Sequence, residues 1–295
     1  MISRGWPAPA KLNLFLHVTG RRPDGYHELQ TVFQLLDLCD TLAFEPRPDG
    51  VIARVAGPGG LEPERDLVVR AARLLQSRTG TSLGANLWLD KHIPMGGGLG
   101  GGSSDAATVL VALNALWGTG LDVAALAALG LELGADVPVF VRGRSAWAEG
   151  VGEVLEPVDL PARWFAVVCP AVGVSTAEVF QAPELTRNSP KITIRGFLQA
   201  GGRNDCEPVV TARQPEVRAA IEWLRGRGAA RLTGTGACVF AGFSTREEAA
   251  AALVGLPRRW AGFVARGLAV SPLVQRLQAG PAADVPTLAD GVTGV

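Results

Sequence analysis

Between a strand-like Ala85–Leu89 and a strongly helical Ala106–Trp117 stands Pro94-Met-Gly-Gly-Gly-Leu-Gly-Gly-Gly-Ser-Ser-Asp105, which holds six glycines. Glycine loses more conformational freedom on folding than any other residue. A fold keeps such a run where the backbone must turn sharply or come close to something. Placed before a helix, that something reads as an anion, because bare N–H groups and the positive helix start bind phosphate without a lysine. A flexible linker is the bland alternative. Gly96, Gly98 and Gly101 also satisfy G-x-G-x-x-G, but a second helix follows where a dinucleotide fold needs a strand ending in an acid. No Gly-Lys-Ser/Thr is present, which excludes a Walker A loop. With no lysine in the loop, phosphate neutralisation is expected from the helix start and a metal ion. Ser103, Ser104 and Asp105 fall in the first helical turn, where a hydroxyl either caps the helix or, at Ser104, ligates a magnesium ion carried by a nucleotide.

The 295 residues suggest two domains at roughly 150 residues each, and a 47% hydrophobic content can build substantial cores. Basic and acidic residues balance at 28 each, which argues against a general nucleic-acid binder. Cys39, Cys169, Cys206 and Cys238 form no C-x-x-C pair, and with only His17, His27 and His92 they support neither a zinc cage nor a dense disulfide framework. Met1-Ile-Ser-Arg-Gly-Trp lacks the apolar core of a signal peptide, and no long uncharged span is present. A soluble, cytoplasmic protein is expected.

Along the chain, Ala10–Val18 alternates with period two and reads as a strand that puts Lys11 and Asn13 on one face. Pro23-Asp-Gly25 reads as a turn, and strand-like runs follow at Thr31–Leu36 and Thr41–Phe44. A helix starts behind Asp66 and stops at Gly80; another spans Val123–Leu133. After a strand at Ser145–Ala148, prolines 157 and 161 mark a boundary, giving domains at 1–158 and 159–280. The second half alternates strands (Phe165–Cys169, Ala230–Thr233, Ala237–Ala241, Gly262–Ala265) with helices (Ala177–Gln181, Val217–Arg225, Thr245–Leu253). The class is mixed α+β. Residues 281–295 read as a disordered tail.

Lysine and tyrosine are scarce: three lysines and one tyrosine. Lys11 sits in an apolar strand, where an ammonium needs an anion or carboxylate partner unless it snorkels from an edge. Asp136, between Gly134 and Pro138, is either a helix N-cap or a carboxylate able to accept a proton from an alcohol. Tyr26-His27 follows the turn and suits a heterocycle or a plain surface. Gly234 and Gly236, flanking Thr235 between two strands, allow close approach of a ligand or make a hairpin turn.

Taken together, Pro9-Ala-Lys11-Leu-Asn13, the glycine run and Leu232-Thr-Gly-Thr-Gly-Ala-Cys238 resemble the GHMP kinase superfamily, and Arg22-Pro-Asp-Gly-Tyr26-His27, Gly134-Ala-Asp136-Val-Pro138 and Asn204-Asp-Cys-Glu207 point to its branch acting on a diphosphocytidyl alcohol. The resemblance implies a two-domain GHMP kinase fold, a ribosomal-S5-like N-terminal domain and a ferredoxin-like C-terminal domain, with the site between them. It further implies Lys11 and Asp136 as catalytic, Asn13, Tyr26, His27 and Phe180 as substrate-binding, and Pro94, Met95, Gly96, Gly97, Gly98, Leu99, Gly100, Gly101, Gly102, Ser103 and Ser104 as ATP-binding. The implied cofactor is ATP with Mg2+, with no organic cofactor or structural metal. The implied partners are ATP and diphosphocytidyl methylerythritol, without nucleic acid or membrane, the protein being a monomer or homodimer. Asp105 stands where many relatives carry asparagine, and Asn204 and Asp205 read as site or scaffold. Mevalonate, homoserine or a sugar as acceptor, or a non-catalytic nucleotide sensor, are the alternatives, and Tyr26-His27 separates them.

Overall fold

In a computed structural model of the chain, which describes residues 1–59 and 62–280, the N-terminal alternation becomes a long hairpin. Strand β1 (Ser3–Arg21) turns through Pro23-Asp-Gly25 into β2 (His27–Arg47). Gly25 takes a left-handed φ of 90°, and Asp24 Oδ1 accepts the Tyr26 N–H at 3.1 Å, the short-range bond that makes Asp a turn residue. The two expected runs at 31–36 and 41–44 are one strand. On one edge it pairs with β1 from His27 to Phe44, while its other edge meets later strands in turn, one at Thr31–Phe33, a second at Leu35 and Leu36 and a third from Thr41 onward. The strict alternation of β1 does not hold, since register shifts lie between Pro9 and Lys11 and between Asn13 and Leu16. A bulge of this kind re-aims side chains, and Phe15, on the polar face in a strict alternation, is fully buried.

The chain continues through β3 (Ile52–Ala56), α1 (Leu67–Thr79), β4 (Gly84–Asp90), α2 (Gly101–Trp117), α3 (Val123–Leu133), α4 (Val137–Arg142), β5 (Ala146–Glu149) and β6 (Val154–Pro157). The second half holds β7 (Trp164–Pro170), α5 (Thr176–Gln181), α6 (Ile194–Ala200), α7 (Glu207–Arg213), α8 (Pro215–Arg225), β8 (Arg231–Leu232), β9 (Val239–Phe243), α9 (Arg246–Ala251), β10 (Trp260–Leu268) and α10 (Pro272–Gln278). Helix α1 has the expected ends: Asp66 Oδ1 accepts the Val68 N–H at 3.0 Å, and Gly80 closes it at φ 67°. Helix α2 begins at Gly101, inside the glycine run and two residues before the first turn expected at Ser103–Asp105, despite glycine's poor helix propensity. The expected tail at 281–295 lies outside the described residues.

The strands pair in the order β3-β4-β2-β10-β7-β9-β8, with β1 and β5 also on β2 and β6 on β5. Helices α1 to α4 cover a first core that includes Trp6, Phe44, Leu75, Leu110 and Phe140. A second core joins β7 and β9 to α8 and α9 through Val168, Ile221, Leu224 and Val239. A third, made of Leu12, Leu36, Leu99, Val167 and Phe240, lies between them beneath the glycine run. Helix α10 returns to the first core through Leu273. Cys169 and Cys238 form a disulfide that ties the end of β7 to the segment before β9, a bridge that the spacing of the cysteines does not announce. Among the described residues no helix is long and apolar enough to cross a membrane.

Ser145 fastens three strands at one point. Its hydroxyl accepts the Leu35 N–H at 2.9 Å and donates to Leu268 O at 2.7 Å, and the residue is 1% exposed. Ser145→Ala strands a buried donor and is expected to cost about 1–3 kcal/mol. Calorimetry should show the melting temperature lowered by several degrees; an unchanged melt rules the bond out as a fastening.

Candidate active site

A cleft of about 1190 Å³ opens between the glycine run, the β1–β2 hairpin and α5. It exceeds the roughly 300–1,000 Å³ usual for one drug-sized ligand, so it has room for two. Its lining includes Lys11, Asn13, Tyr26, His27, Pro94 to Ser103, Asp136, Phe180 and Gly234.

Lys11 is 2% exposed, so its ammonium must be compensated inside the protein. Its Nζ lies 3.2 Å from Asp136 Oδ2, donates to Asn13 Oδ1 at 2.5 Å and sits 5.5 Å from the Phe33 ring centroid. Asn13 is held in turn: its Nδ2 donates to Thr31 Oγ1 and its backbone N–H to Thr233 Oγ1, both at 3.0 Å. Asp136 does stand at the N-cap of α4, but its side chain makes no capping bond. The carboxylate faces Lys11 and the cleft instead.

Much of the glycine in the run answers to protein rather than to ligand. The Gly97 and Gly98 carbonyls accept from Cys238 N and Thr233 Oγ1, and Leu99 O accepts from Lys11 N. At Gly98, with φ 76°, a Cβ would lie 2.3 Å from Thr233 O, and at Gly100 it would lie 3.0 Å from Lys11 Cε. The run is therefore a docked loop and not a linker. At its end Gly100 takes φ 72° and α2 has no side-chain cap, which leaves first-turn N–H groups for an anion. Ser103 lines the cleft, whereas Ser104 is fully buried.

The loop holds no lysine, as its sequence requires, but one from outside the loop borders it. Lys91, just past β4, lines the cleft within 3.0 Å of where a Gly101 side chain would begin. A single-sequence scan for Gly-Lys-Ser/Thr passes over it because it precedes the loop. Its Nζ donates to Asp40 Oδ2 at 2.5 Å and Asp105 Oδ2 at 2.9 Å, and Asp40 also accepts the His92 and Ile93 N–H groups. Burial works against the Lys91 charge, yet Asp105 and Asp40 hold its pKa above the ordinary value. Burial pushes Asp105 up to about 7, with Lys91 opposing and Asp40 adding to the rise. Arg54, paired with Asp66 at 2.6 Å, lines the cleft beside Leu67 and Val68; it sits on β3, a strand without a clear sequence signal.

At the other end His27 stacks on Phe180, centroids 5.2 Å apart at 29°, and Tyr26 stands 64% exposed at the rim. Gly234 borders the cleft; Gly236 does not, and a side chain there would meet Leu232 and Val210. Asn204 and Asp205 are scaffold. Asn204 Nδ2 donates to Leu232 O and Gly234 O, while Asp205 accepts from Val18 N and Ser189 Oγ.

The Asp105 shift predicts a pH effect on folding. A carboxyl whose folded pKa lies above its unfolded value binds more protons when folded, so its contribution to stability falls as pH rises from about 4 to about 7. In urea titrations without nucleotide or divalent metal, Asp105→Asn should remove part of that decline and be at least as stable as wild type at pH 8. A variant that keeps the full decline excludes Asp105 as its source.

Comparison with known proteins agrees with this geometry. Residues 66–144 match the GHMP kinases N terminal domain and residues 187–262 the GHMP kinases C terminal domain. The 4-diphosphocytidyl-2-C-methyl-D-erythritol kinase of Alkalilimnicola ehrlichii is 61% identical over 276 residues, 94% of this chain and 95% of that protein. That of Nitrosococcus oceani is 58% identical over 92% of this chain and 98% of its own length. A crystal structure of 4-(cytidine 5'-diphospho)-2C-methyl-D-erythritol kinase superposes with a TM-score of 0.78 at 36% identity, covering 90% of this chain and 99% of that one. Homoserine kinase from Cytophaga hutchinsonii, at 16% identity and a TM-score of 0.69 over 92% and 95% of the two chains, shares the fold. With both halves of the superfamily matched and full-length relatives above half identity, the chain belongs to the GHMP kinases and, within them, to the 4-diphosphocytidyl-2-C-methyl-D-erythritol kinase family.

Proposed function

We propose that this chain transfers the γ-phosphoryl group of ATP to the C2 hydroxyl of 4-diphosphocytidyl-2-C-methyl-D-erythritol, releasing ADP and the 2-phosphate, a step toward isoprenoid precursors. The observation that carries the reading is the approach of Lys11 Nζ to Asp136 Oδ2 at 3.2 Å, on the wall shared by the glycine loop and the Tyr26-His27 end of one cleft. The acceptor is a crowded tertiary alcohol, so positioning and charge stabilisation carry most of the catalysis. The C2 oxygen bonds to the γ-phosphorus as the bond from that phosphorus to the β,γ-bridging oxygen breaks, and the hydroxyl proton passes to the Asp136 carboxylate. Lys11 stabilises negative charge on the transferred group. Asn13, oriented by Thr31 and Lys11, directs the acceptor, and Tyr26, His27 and Phe180 hold the cytosine.

The amides from Gly96 to Ser103 and the Lys91 ammonium take the phosphates of ATP. A magnesium ion carried by ATP fits here: the Ser104 hydroxyl and the second oxygen of Asp105 are buried without a partner, and both are hard oxygen donors. Of the two only Asp105 lines the cleft, so Asp105 and not the fully buried Ser104 would hold the ion, which would supply charge neutralisation to the phosphates. Among the described residues no cluster of three or more His, Cys, Asp or Glu side chains is placed to hold a metal by itself.

In a coupled ADP-release assay with the diphosphocytidyl acceptor, Asp136→Asn should lower kcat about 10²–10⁴-fold while leaving ATP affinity near wild type. Lys11→Ala should lose comparable activity. Wild-type turnover in Asp136→Asn removes the carboxylate from the mechanism; turnover of homoserine or mevalonate in preference to the diphosphocytidyl alcohol overturns the acceptor.

A further inference from the structure

Arg187 stands behind the base-binding end of the cleft, and every one of its guanidinium nitrogens is engaged. Nη1 donates to Leu185 O at 3.1 Å, Nη2 to Phe180 O and Ala182 O at 2.9 and 2.7 Å, and Nε to His27 Nε2 at 3.1 Å. One side chain therefore ties the end of α5, which carries Phe180, to the first residue of β2, on which the stacked His27 ring sits.

The last of these bonds determines where the His27 proton is. A guanidinium has donors only and stays charged at any pH a protein meets. The nitrogen facing it must offer a lone pair, so Nε2 is unprotonated and the proton of the neutral ring is on Nδ1. An imidazolium would turn a second N–H toward a cation. Burial, then Arg187, then Arg21 across the hairpin, all lower the His27 pKa and keep the ring neutral. Nδ1 makes no bond among the described residues, and His27 lines the cleft. The ring thus presents a donor, and only a donor, to whatever base enters.

We infer that Arg187 is a positioning residue that locks His27 in its Nδ1–H form and thereby makes the base site accept cytosine and refuse uracil. Cytosine carries a lone pair at N3, which accepts from Nδ1–H. Uracil carries N3–H, which would meet a second donor, and an unmatched buried donor is the kind of fault that sites discriminate against strongly. Without Arg187 the ring is free to take the Nε2–H form that neutral imidazole prefers in water, and it would then offer either kind of partner. The inference rests on the proposed diphosphocytidyl acceptor.

The test reads the proton directly. Long-range ¹H–¹⁵N spectra, with only three histidines to assign, should show wild-type His27 protonated at Nδ1 and not at Nε2. CDP should bind wild type at least about 10–100-fold more tightly than UDP, the scale of one mismatched buried hydrogen bond. Arg187→Met should move the proton toward Nε2 and bring the CDP to UDP ratio down about tenfold or more. It should also raise KM for the acceptor more than it changes kcat, with KM for ATP unaltered. Arg187→Lys, which keeps an obligate donor, should retain more of the ratio than Met. A wild-type ring protonated at Nε2 overturns the inference without needing any variant to fold. So does an Arg187→Met enzyme that binds CDP with the wild-type ratio. Failure of the acceptor reading is separate: wild type would then turn over no diphosphocytidyl alcohol, whatever the state of His27.

Discussion

A single ammonium taken out of water organises this molecule. Desolvating a charge costs several kcal/mol unless the surroundings return it, and at Lys11 they do so from three directions: the Asp136 carboxylate, the Asn13 carbonyl and the Phe33 ring face. Asn13 is braced by Thr31 and Thr233, and the Lys11 backbone is bonded to the glycine loop through Leu99. The hairpin, the loop, α4 and the Thr233–Cys238 segment are thus held in register around one charge, and the same charge lines the cleft.

The glycine run reads differently once its neighbours are known. Sequence alone explains six glycines by an approaching anion, and the uncapped start of α2 keeps that explanation. Yet at Gly97, Gly98 and Gly100 an added Cβ would strike Cys238 Sγ, Thr233 O and Lys11 Cε. Side chains are excluded there because the Thr233 backbone and the Cys238 and Lys11 side chains already occupy the space. The loop is preorganised by packing, so little reorganisation of its backbone is left for a binding step.

Local signals survive folding where a residue's partner lies within a few positions. Asp66 and Gly80 bound α1, Asp24 makes the hairpin turn, and α3 spans the expected residues. Where the partner is remote, the sequence misleads or is silent. Bulges accompany the burial of Phe15 against expectation, one strand replaces two because β2 keeps β1 on one edge and changes partners along the other, and β3, β6, α6, α7 and α10 carry no local signal. Lys11 and Asp136 were legible as residues out of place, an ammonium among leucines and a cap followed by proline. Lys91 and Arg187 were not, since one precedes its loop and the other acts only by contact with a histidine far upstream.

Strand β1 contributes Trp6 and Ala8 to the first core, Leu12 to the third and Leu16 and Val18 to the second, while α10, from nearly the far end of the described chain, seals the first through Leu273 and bonds Arg4 O through Arg276. Such a layout gives a high contact order. During synthesis β1 leaves the ribosome long before α10, so its surroundings are complete only after α10 follows, and until then the nascent kinase carries an open apolar flank. Exposed apolar surface of that kind is what chaperones bind, and removing α10 would leave the flank open.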